Sequence, residues 1–563
     1  MLLKRLFLLM MVCISGVLTA QDIQVAKRTI PYLASDALEG RFPGTPGDSM
    51  AMQFIESEFE AFGLNTFDFG YRQKFDIVTE IRASDECYVH WNAQELEISR
   101  DYLPLSYSGA EPLDADVVLG TKELLKSEDT DLDGSWVLVL LDDDEGSIPD
   151  YRDMIDIGIQ ARLRDAGGLI VSYMFDVTDS TEFYPLQYNR SFASISLPAI
   201  QVSRDVIAES LEGCDAALSD VVMSEDINKV PDIDLQVDAQ VKIDKFETTT
   251  ANLAGWIEGD NADEWIVVGA HYDHLGYGGY GSGSRTPERY DIHNGADDNA
   301  SGVASVLMLA DHYAEHPPGV NIAFVLFGAE EQGLLGSKYF VDNMPFETDK
   351  VKTMLNFDMV GRMEDSVLSI IGTTTAEEYQ DILSECDGDL LKLKLRKGGY
   401  SGSDQAVFYS EKLPVLFFFT GLNEDYHTPD DIESKINYEG IDMLCHLCVD
   451  LLDTLFLPET TLTYQEVKSS KKRKHGDKMK VKLGIMPDMT GESDNGMRVD
   501  AVISGGVADK SGLLKGDIIT KIGDGEIENI YDYMKIMSRF EEGSKTQIVV
   551  IREGESMVFD VKF

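Results

Sequence analysis

The sequence predicts an α/β chain with a mostly parallel central sheet flanked by helices, an inserted domain and a β-rich domain at the C-terminal end. Three observations lead there. Between residues 231 and 458, apolar runs of strand length alternate with helical patterns, the order expected of a parallel sheet covered by helices. The runs at 265–268, 320–327, 352–357 and 415–419 are nearly continuous in apolar residues, as strands buried on both faces are. A separate strand–helix–strand group occupies 113–230, and a compact glycine-punctuated module occupies 480–563 beyond a basic stretch at 459–479.

The 563 residues include 100 acidic and 48 basic side chains, a net charge of −52. A hydrophobic fraction of 43% is enough for several packed cores and argues against general disorder. The acidic excess argues against nucleic acid or an anionic membrane as partner, because like charges repel across the whole surface.

In chain order, Lys4 and Arg5 precede an apolar run at 6–17, and Leu18-Thr19-Ala20 offers a cleavage site. Residues 1–20 therefore read as a secretory signal, and the mature protein is expected in the periplasm or outside the cell. The run is too short for a membrane span, and no later run exceeds strand length. Cys13 lies inside that run after Val12, whereas a lipid-attachment cysteine follows a small residue. The five cysteines beyond it make no disulfide framework; Cys445 and Cys448 fall in an apolar, helix-like stretch and read as buried packing residues.

Residues 21–112 open the α/β domain. A helix is expected over 50–62, with apolar positions Met52, Ile55, Phe59 and Phe62, after a turn-rich segment containing Glu39-Gly40-Arg41 and Gly44-Thr45-Pro46-Gly47. The insert at 113–230 shows strands at 136–141, 169–174 and 199–202 around a helix that stops at Gly167-Gly168. Its acidic run, Asp142-Asp143-Asp144-Glu145, reads as a solvated turn, with a calcium site as the alternative. The 459–479 stretch, with Lys471-Lys472-Arg473-Lys474, reads as a solvated linker; an electrostatic latch onto the acidic body is the alternative.

Polar clusters follow the strands of the 231–458 core. His271-Tyr272-Asp273-His274 follows the first, Glu330-Glu331 the second, Asp358 the third, and Tyr426-His427-Thr428-Pro429-Asp430-Asp431 the fourth. Asp297-Asp298-Asn299 precedes a helix. In open α/β sheets, ligands bind at the carboxyl ends of strands, so one pocket can collect all five clusters. Two histidines and three carboxylates form a donor set suited to zinc, and a carboxylate can bridge two metal ions. Each cluster alone has an ordinary structural reading, as a helix cap, a solvated pair or a hydrogen-bonded histidine; their succession carries the inference.

In their order these motifs resemble the two-zinc exopeptidase family of bacterial leucine-type aminopeptidases, whose relatives include glutamate carboxypeptidase II and transferrin receptor. The resemblance covers most of 231–458 and the segment 33–47. It implies a zinc exopeptidase-like fold and two Zn2+ ions: His271 and Asp358 on one, His427 and Glu331 on the other, Asp297 bridging both. It implies Glu330 as general base, Asp273 as the carboxylate orienting His271, and Tyr400, in Gly399-Tyr400-Ser401-Gly402, as a donor to the tetrahedral intermediate. One departure is Ser403-Asp404-Gln405, where the family often has histidine in the last position. His274 and His293 lie near the site but outside this ligand set. The insert resembles a protease-associated domain. Residues 480–563 resemble a PDZ domain, through Lys482-Leu483-Gly484-Ile485, Gly505-Gly506-Val507-Ala508 and Gly516-Asp517-Ile518-Ile519, with a groove helix over 531–540; that implies a C-terminal peptide ligand.

The expected function is peptide hydrolysis by a secreted aminopeptidase. A carboxypeptidase or dipeptidase of the same fold needs a cation for the substrate carboxylate, for which Arg362 and Lys397 are candidates. A non-catalytic binding module and a one-zinc glutaminyl cyclase are the readings from other classes.

Overall fold

The computed structural model describes residues 22–121, 124–125, 127, 132–141, 151–173, 183–186, 188, 195–211, 233–279, 282–386, 390–399, 402–466, 481–487, 496–502, 506–527, 532–533, 536–537, 539–541, 543–552 and 554–563. The signal segment, the acidic run 142–145, most of the basic linker, Tyr400 and part of the expected 531–540 helix lie outside them. The chain folds into two compact units, Met1–Ile77 with Glu247–Lys472, and Val78–Phe246 with Arg473–Phe563.

The first unit contains, in order, α1 (Asp22–Leu33), α2 (Pro46–Phe62), β1 (Arg72–Ala83), β2 (Ile243–Ile257), β3 (Asn261–His271), α3 (Gly302–Glu315), β4 (Val320–Phe327), α4 (Leu335–Asp342), β5 (Val351–Phe357), β6 (Val367–Ile371), α5 (Tyr379–Cys386), β7 (Lys392–Arg396), α6 (Gln405–Ser410), β8 (Val415–Phe419) and α7 (Tyr438–Leu455). The eight strands form one sheet in the order β1-β2-β4-β3-β5-β8-β6-β7. Its centre, β4-β3-β5-β8, is parallel throughout. The flanks make the sheet mixed, because β2 runs antiparallel to β4, and β6 antiparallel to β8. Every residue of β4 (Val-Asn-Ile-Ala-Phe-Val-Leu-Phe) is buried, as the continuous apolar run requires of a strand covered on both faces.

Local chemistry sets the helices that cover it. In α2, Thr45 caps the N-terminus by accepting from the Asp48 amide, Pro46 begins the first turn, and Gly63 closes the helix at φ 73. Its apolar face, Ala51, Met52, Ile55 and Phe59, is buried as the periodicity predicts, while Phe62 is only partly covered. Helix α3 is enclosed nearly all round, because α1, α2 and α7 pack against it over the sheet. Cys445 and Cys448 are buried on α7.

The insert is wider than 113–230. Its eight-stranded sheet also takes Tyr88–Trp91, Gln94–Glu95 and Tyr102–Pro104 before that range and Gln236–Gln240 after it. These strands are short and partly exposed, so they carry little apolar signal of their own. In the C-terminal module, strands Met497–Val502, Ile518–Ile522, Lys545–Arg552 and Glu555–Lys562 pair antiparallel in sequence order. Asp517, fully buried, receives two bonds from the Arg552 guanidinium at 2.6 and 2.7 Å. Among the described residues no helix is long and apolar enough to cross a membrane.

Candidate metal centre

The parallel strands deliver their polar clusters to one place. His271 ends β3, Glu330 and Glu331 follow β4, Asp358 follows β5, and His427 lies beyond β8. The fifth contribution is a single wide helical turn, Ala296–Ser301, wholly buried, that leads into α3. Non-glycine residues at positive φ gather here: Arg41 (51°), Ala329 (57°), Met359 (54°) and His427 (56°). Each such residue costs about 1–3 kcal/mol and persists only where its surroundings enforce it.

Asp298 occupies the middle. Its Oδ1 lies 3.3 Å from His271 Nε2 and its Oδ2 3.3 Å from His427 Nε2. On the outer sides, Asp358 Oδ1 is 3.5 Å from His271 Nε2, and Glu331 Oε2 is 3.2 Å from His427 Nε2. Two groups, His271–Asp298–Asp358 and His274–Asp298–Glu331, bring one ligand atom from each residue within 4.8 Å of the others.

This corrects the expectation for Asp297. Its Oδ1 accepts from the Gly361 amide at 2.7 Å and its Oδ2 from Asn423 Nδ2 at 3.0 Å, so its carboxylate is spent on the surrounding loops. In the turn Ala296–Ser301 adjacent side chains leave in different directions, and Asp298 is the one facing the histidines. Asp431 fixes the turn by accepting from the amides of both Asp297 and Asp298 at 2.9–3.0 Å.

Each histidine is held through Nδ1, which leaves Nε2 toward the carboxylates. His427 Nδ1 lies 2.9 Å from the Gly283 carbonyl, and the Arg285 amide donates back to the His427 carbonyl at 2.9 Å. His271 Nδ1 lies 3.3 Å from the Asp273 carbonyl and 3.6 Å from its Oδ1. The Asp273 carboxylate takes its shortest bonds elsewhere, from the amides of Glu330 at 2.9 Å and Glu331 at 3.3 Å. It therefore fixes the loop bearing both glutamates as well as standing behind His271. A backbone partner of this kind sets tautomer and ring orientation at metal sites.

Beneath the cluster lies Arg41, completely buried. Its guanidinium donates to the carbonyls of Leu33 (2.5 Å), Asn294 (2.6 Å), Tyr272 (2.8 Å) and Gly295 (3.1 Å). Burial lowers its pKa to about 10, against the pull of Asp273, Asp298, Asp431 and Glu331. Nearby, Asn356 Nδ2 donates to Ser403 Oγ and to Gln405 Oε1, both at 2.8 Å, which gives Gln405 a structural role in the departure from the family pattern. Burial lifts the neighbouring Asp404 to about 7.

The electrostatics test whether metal cations fit. Burial pushes Glu330, Asp297, Asp358 and Asp431 above the ordinary carboxylate range. Burial also opposes ionisation of Asp298 and Glu331, but the histidines outweigh it, holding Asp298 well below that range and Glu331 at about 2. Burial opposes the imidazolium of His427 too, yet Glu331 and Asp298 raise it to about 11; His271 is raised in the same way by Asp358 and Glu330. The pocket thus encloses more carboxylates than it has fixed cations to balance them. Divalent cations bound to the same imidazole nitrogens would compensate that surplus, so the donor set and the charge surplus both fit them.

Arg41, His274, Asp298, Asp404 and Asp431 are the site residues to which the sequence reading gave no role. Asp298 and Asp431 stand beside singled-out positions, each within an Asp-Asp pair. Arg41 carries no signal, since a fully buried cation with carbonyl partners reads in sequence like any surface arginine.

Comparison with known proteins bears on this arrangement. Residues 252–452 match peptidase family M28, and residues 481–563 match the PDZ domain. An aminopeptidase of Pseudomonas aeruginosa is 35% identical over 129 residues, 23% of this chain and 21% of that protein. Aminopeptidase YwaD of Bacillus subtilis is 28% identical over 254 residues, 42% of this chain and 50% of that protein. The chain thus spans about a fifth to a half of the length of these curated relatives. Among solved structures, an aminopeptidase from Aneurinibacillus sp. strain AM-1 shares the fold with a TM-score of 0.50 at 20% identity, covering 81% of this chain and 98% of that one. Residues 252–452 belong to peptidase family M28, and residues 481–563 are a PDZ domain.

Proposed function

We propose that this protein is an exported aminopeptidase that holds two zinc ions. The observation that carries the reading is the Asp298 carboxylate, with one oxygen toward His271 Nε2 and the other toward His427 Nε2. His271 and Asp358 would hold one ion, His427 and Glu331 the other, with Asp298 shared between them. Zinc bound there supplies Lewis-acid polarisation of the scissile carbonyl and makes a water acidic enough to attack at neutral pH.

The chain's own groups do the rest. Glu330 takes a proton from the attacking water and returns it to the departing amine, the role its burial-raised proton affinity suits. Asp273 holds the Glu330 backbone in place. Tyr400 is assigned to the oxyanion by resemblance alone. The insert is read as a protease-associated domain from its strand–helix–strand order, and the PDZ domain as a receptor for a peptide C-terminus. Export rests on the 1–20 segment.

A second reading has one observation in its favour. Arg362 Nη2 is bonded to Asp425 at 2.7 Å, but its Nη1 is buried without a hydrogen-bond partner among the described residues. A substrate carboxylate would satisfy it, as a carboxypeptidase or dipeptidase requires. A mixed peptide library incubated with zinc-loaded protein and followed by mass spectrometry separates the two. Residues lost one at a time from free N-termini, with acetylated peptides spared, is the expected result; loss from C-termini overturns the aminopeptidase assignment.

The shared ligand is tested separately. Zinc content is expected to fall from two per chain to one or fewer in Asp298→Ala, and to stay at two in Asp297→Asn. The reverse pattern returns the bridge to Asp297.

A further inference from the structure

His274 is completely buried three residues beyond His271. Its Nδ1 lies 2.9 Å from Glu331 Oε1, while its Nε2 is buried with no hydrogen-bond partner among the described residues. The ring rests against Gly295, where an added Cβ would come within 2.6 Å of a ring carbon. Gly295, at φ 58, immediately precedes the turn that carries Asp298. An added Cβ there would come closer still, 2.2 Å, to the Asp298 carbonyl oxygen, so glycine at 295 serves the turn first and leaves room for the imidazole as well.

The consequence falls on Glu331. One carboxylate oxygen is engaged by His274, and the other faces His427 Nε2 at 3.2 Å. A buried ring nitrogen left without a partner costs about 1–3 kcal/mol, which a packing residue in its place would avoid. The bond to Glu331 is what the imidazole offers in return.

We propose that His274 is a positioning residue that ties up one oxygen of Glu331, so that a metal shared with His427 is offered only the other. This rests on the two-metal reading above. A carboxylate free to turn can present both oxygens to one ion and fill the coordination position that a substrate amine or water requires. A hydrogen bond from a neighbouring side chain to a ligating carboxylate prevents that.

The test uses the full chain with Co2+ in place of zinc, comparing wild type, His274→Ala and His274→Gln. Metal content, metal affinity by chelator competition, and the visible d–d spectrum are read together, with circular dichroism confirming the fold. Wild type is expected to hold two ions. His274→Ala should keep both but bind one about 10- to 100-fold more weakly, with d–d bands that lose intensity as the coordination number rises. His274→Gln, whose amide can donate the same bond, should restore most of the affinity and the spectrum. Two ions in wild type with unchanged affinity and spectrum in His274→Ala overturn the inference alone. Loss of one ion from both variants overturns it in favour of His274 as a direct ligand. Fewer than two ions in wild type overturn the two-metal reading and this inference together.

Discussion

Glu330→Gln is expected to lower kcat/KM by about 10²- to 10⁴-fold while both zinc ions remain bound, because the substitution removes the proton acceptor and little else. The amide is nearly isosteric with the carboxyl. The residue's backbone is held by Asp273 at 2.9 Å, so the side chain should keep its place. No metal-facing contact is assigned to Glu330, in contrast to Glu331 beside it, whose Oε2 approaches His427 at 3.2 Å. Steady-state kinetics on an N-terminal leucine substrate, with zinc content measured on the same preparation, provides the check. A variant retaining more than a tenth of wild-type kcat/KM with full zinc occupancy would remove Glu330 from the role of general base.

The second large effect is on stability. Arg41→Met is expected to destabilise the first unit by at least about 3 kcal/mol, since it leaves the carbonyls of Leu33, Tyr272, Asn294 and Gly295 without their donor. It also removes a buried cation from beneath Asp273, Asp298, Asp431 and Glu331. Arg41→Lys restores the charge but cannot reach four carbonyls with one ammonium, so it should recover part of the loss. Urea denaturation of the zinc-free protein measures both, and a shift of less than 1 kcal/mol for Arg41→Met would contradict the argument.

Much of this was legible in the sequence, and the reason is physical. Strands such as β4 and β8 are covered on both faces, so they appear as nearly unbroken apolar runs, and the polar residues that follow each run mark the carboxyl edge of the sheet. That is how His271, Glu330, Glu331, Asp358 and His427 could be brought to one pocket before any coordinates. The misassignment between Asp297 and Asp298 arose where periodicity gives no help. Within the turn Ala296–Ser301, Asp298 and Asn299 leave helical geometry, and only that local path decides which carboxylate faces inward. The edges of the insert were equally illegible, because Gln94–Glu95 is two exposed residues long and Tyr102–Pro104 only three. His274 was visible as a nearby histidine, but its bond to Glu331 joins residues 57 apart in the chain, which no spacing rule reveals.

The interrupted first unit has a consequence for how the chain is made. Helices α1 and α2 emerge from the ribosome well before α3, the helix they pack against, because residues 78–246 intervene. At about 5–20 residues per second, the N-terminal helices wait roughly ten to fifty seconds for α3, and longer for α7. During that delay Val25, Ile30, Ile55 and Phe59, all fully covered in the finished fold, lack the sheet and helix α3 that complete their cluster. The eight-stranded sheet of the insert, whose strands all lie between residues 88 and 240, can form first, while the segment ahead of it stays open to chaperone capture or to threading through a translocon. The pocket cannot be complete until His427 has been made, long after Arg41 and still before the C-terminal module.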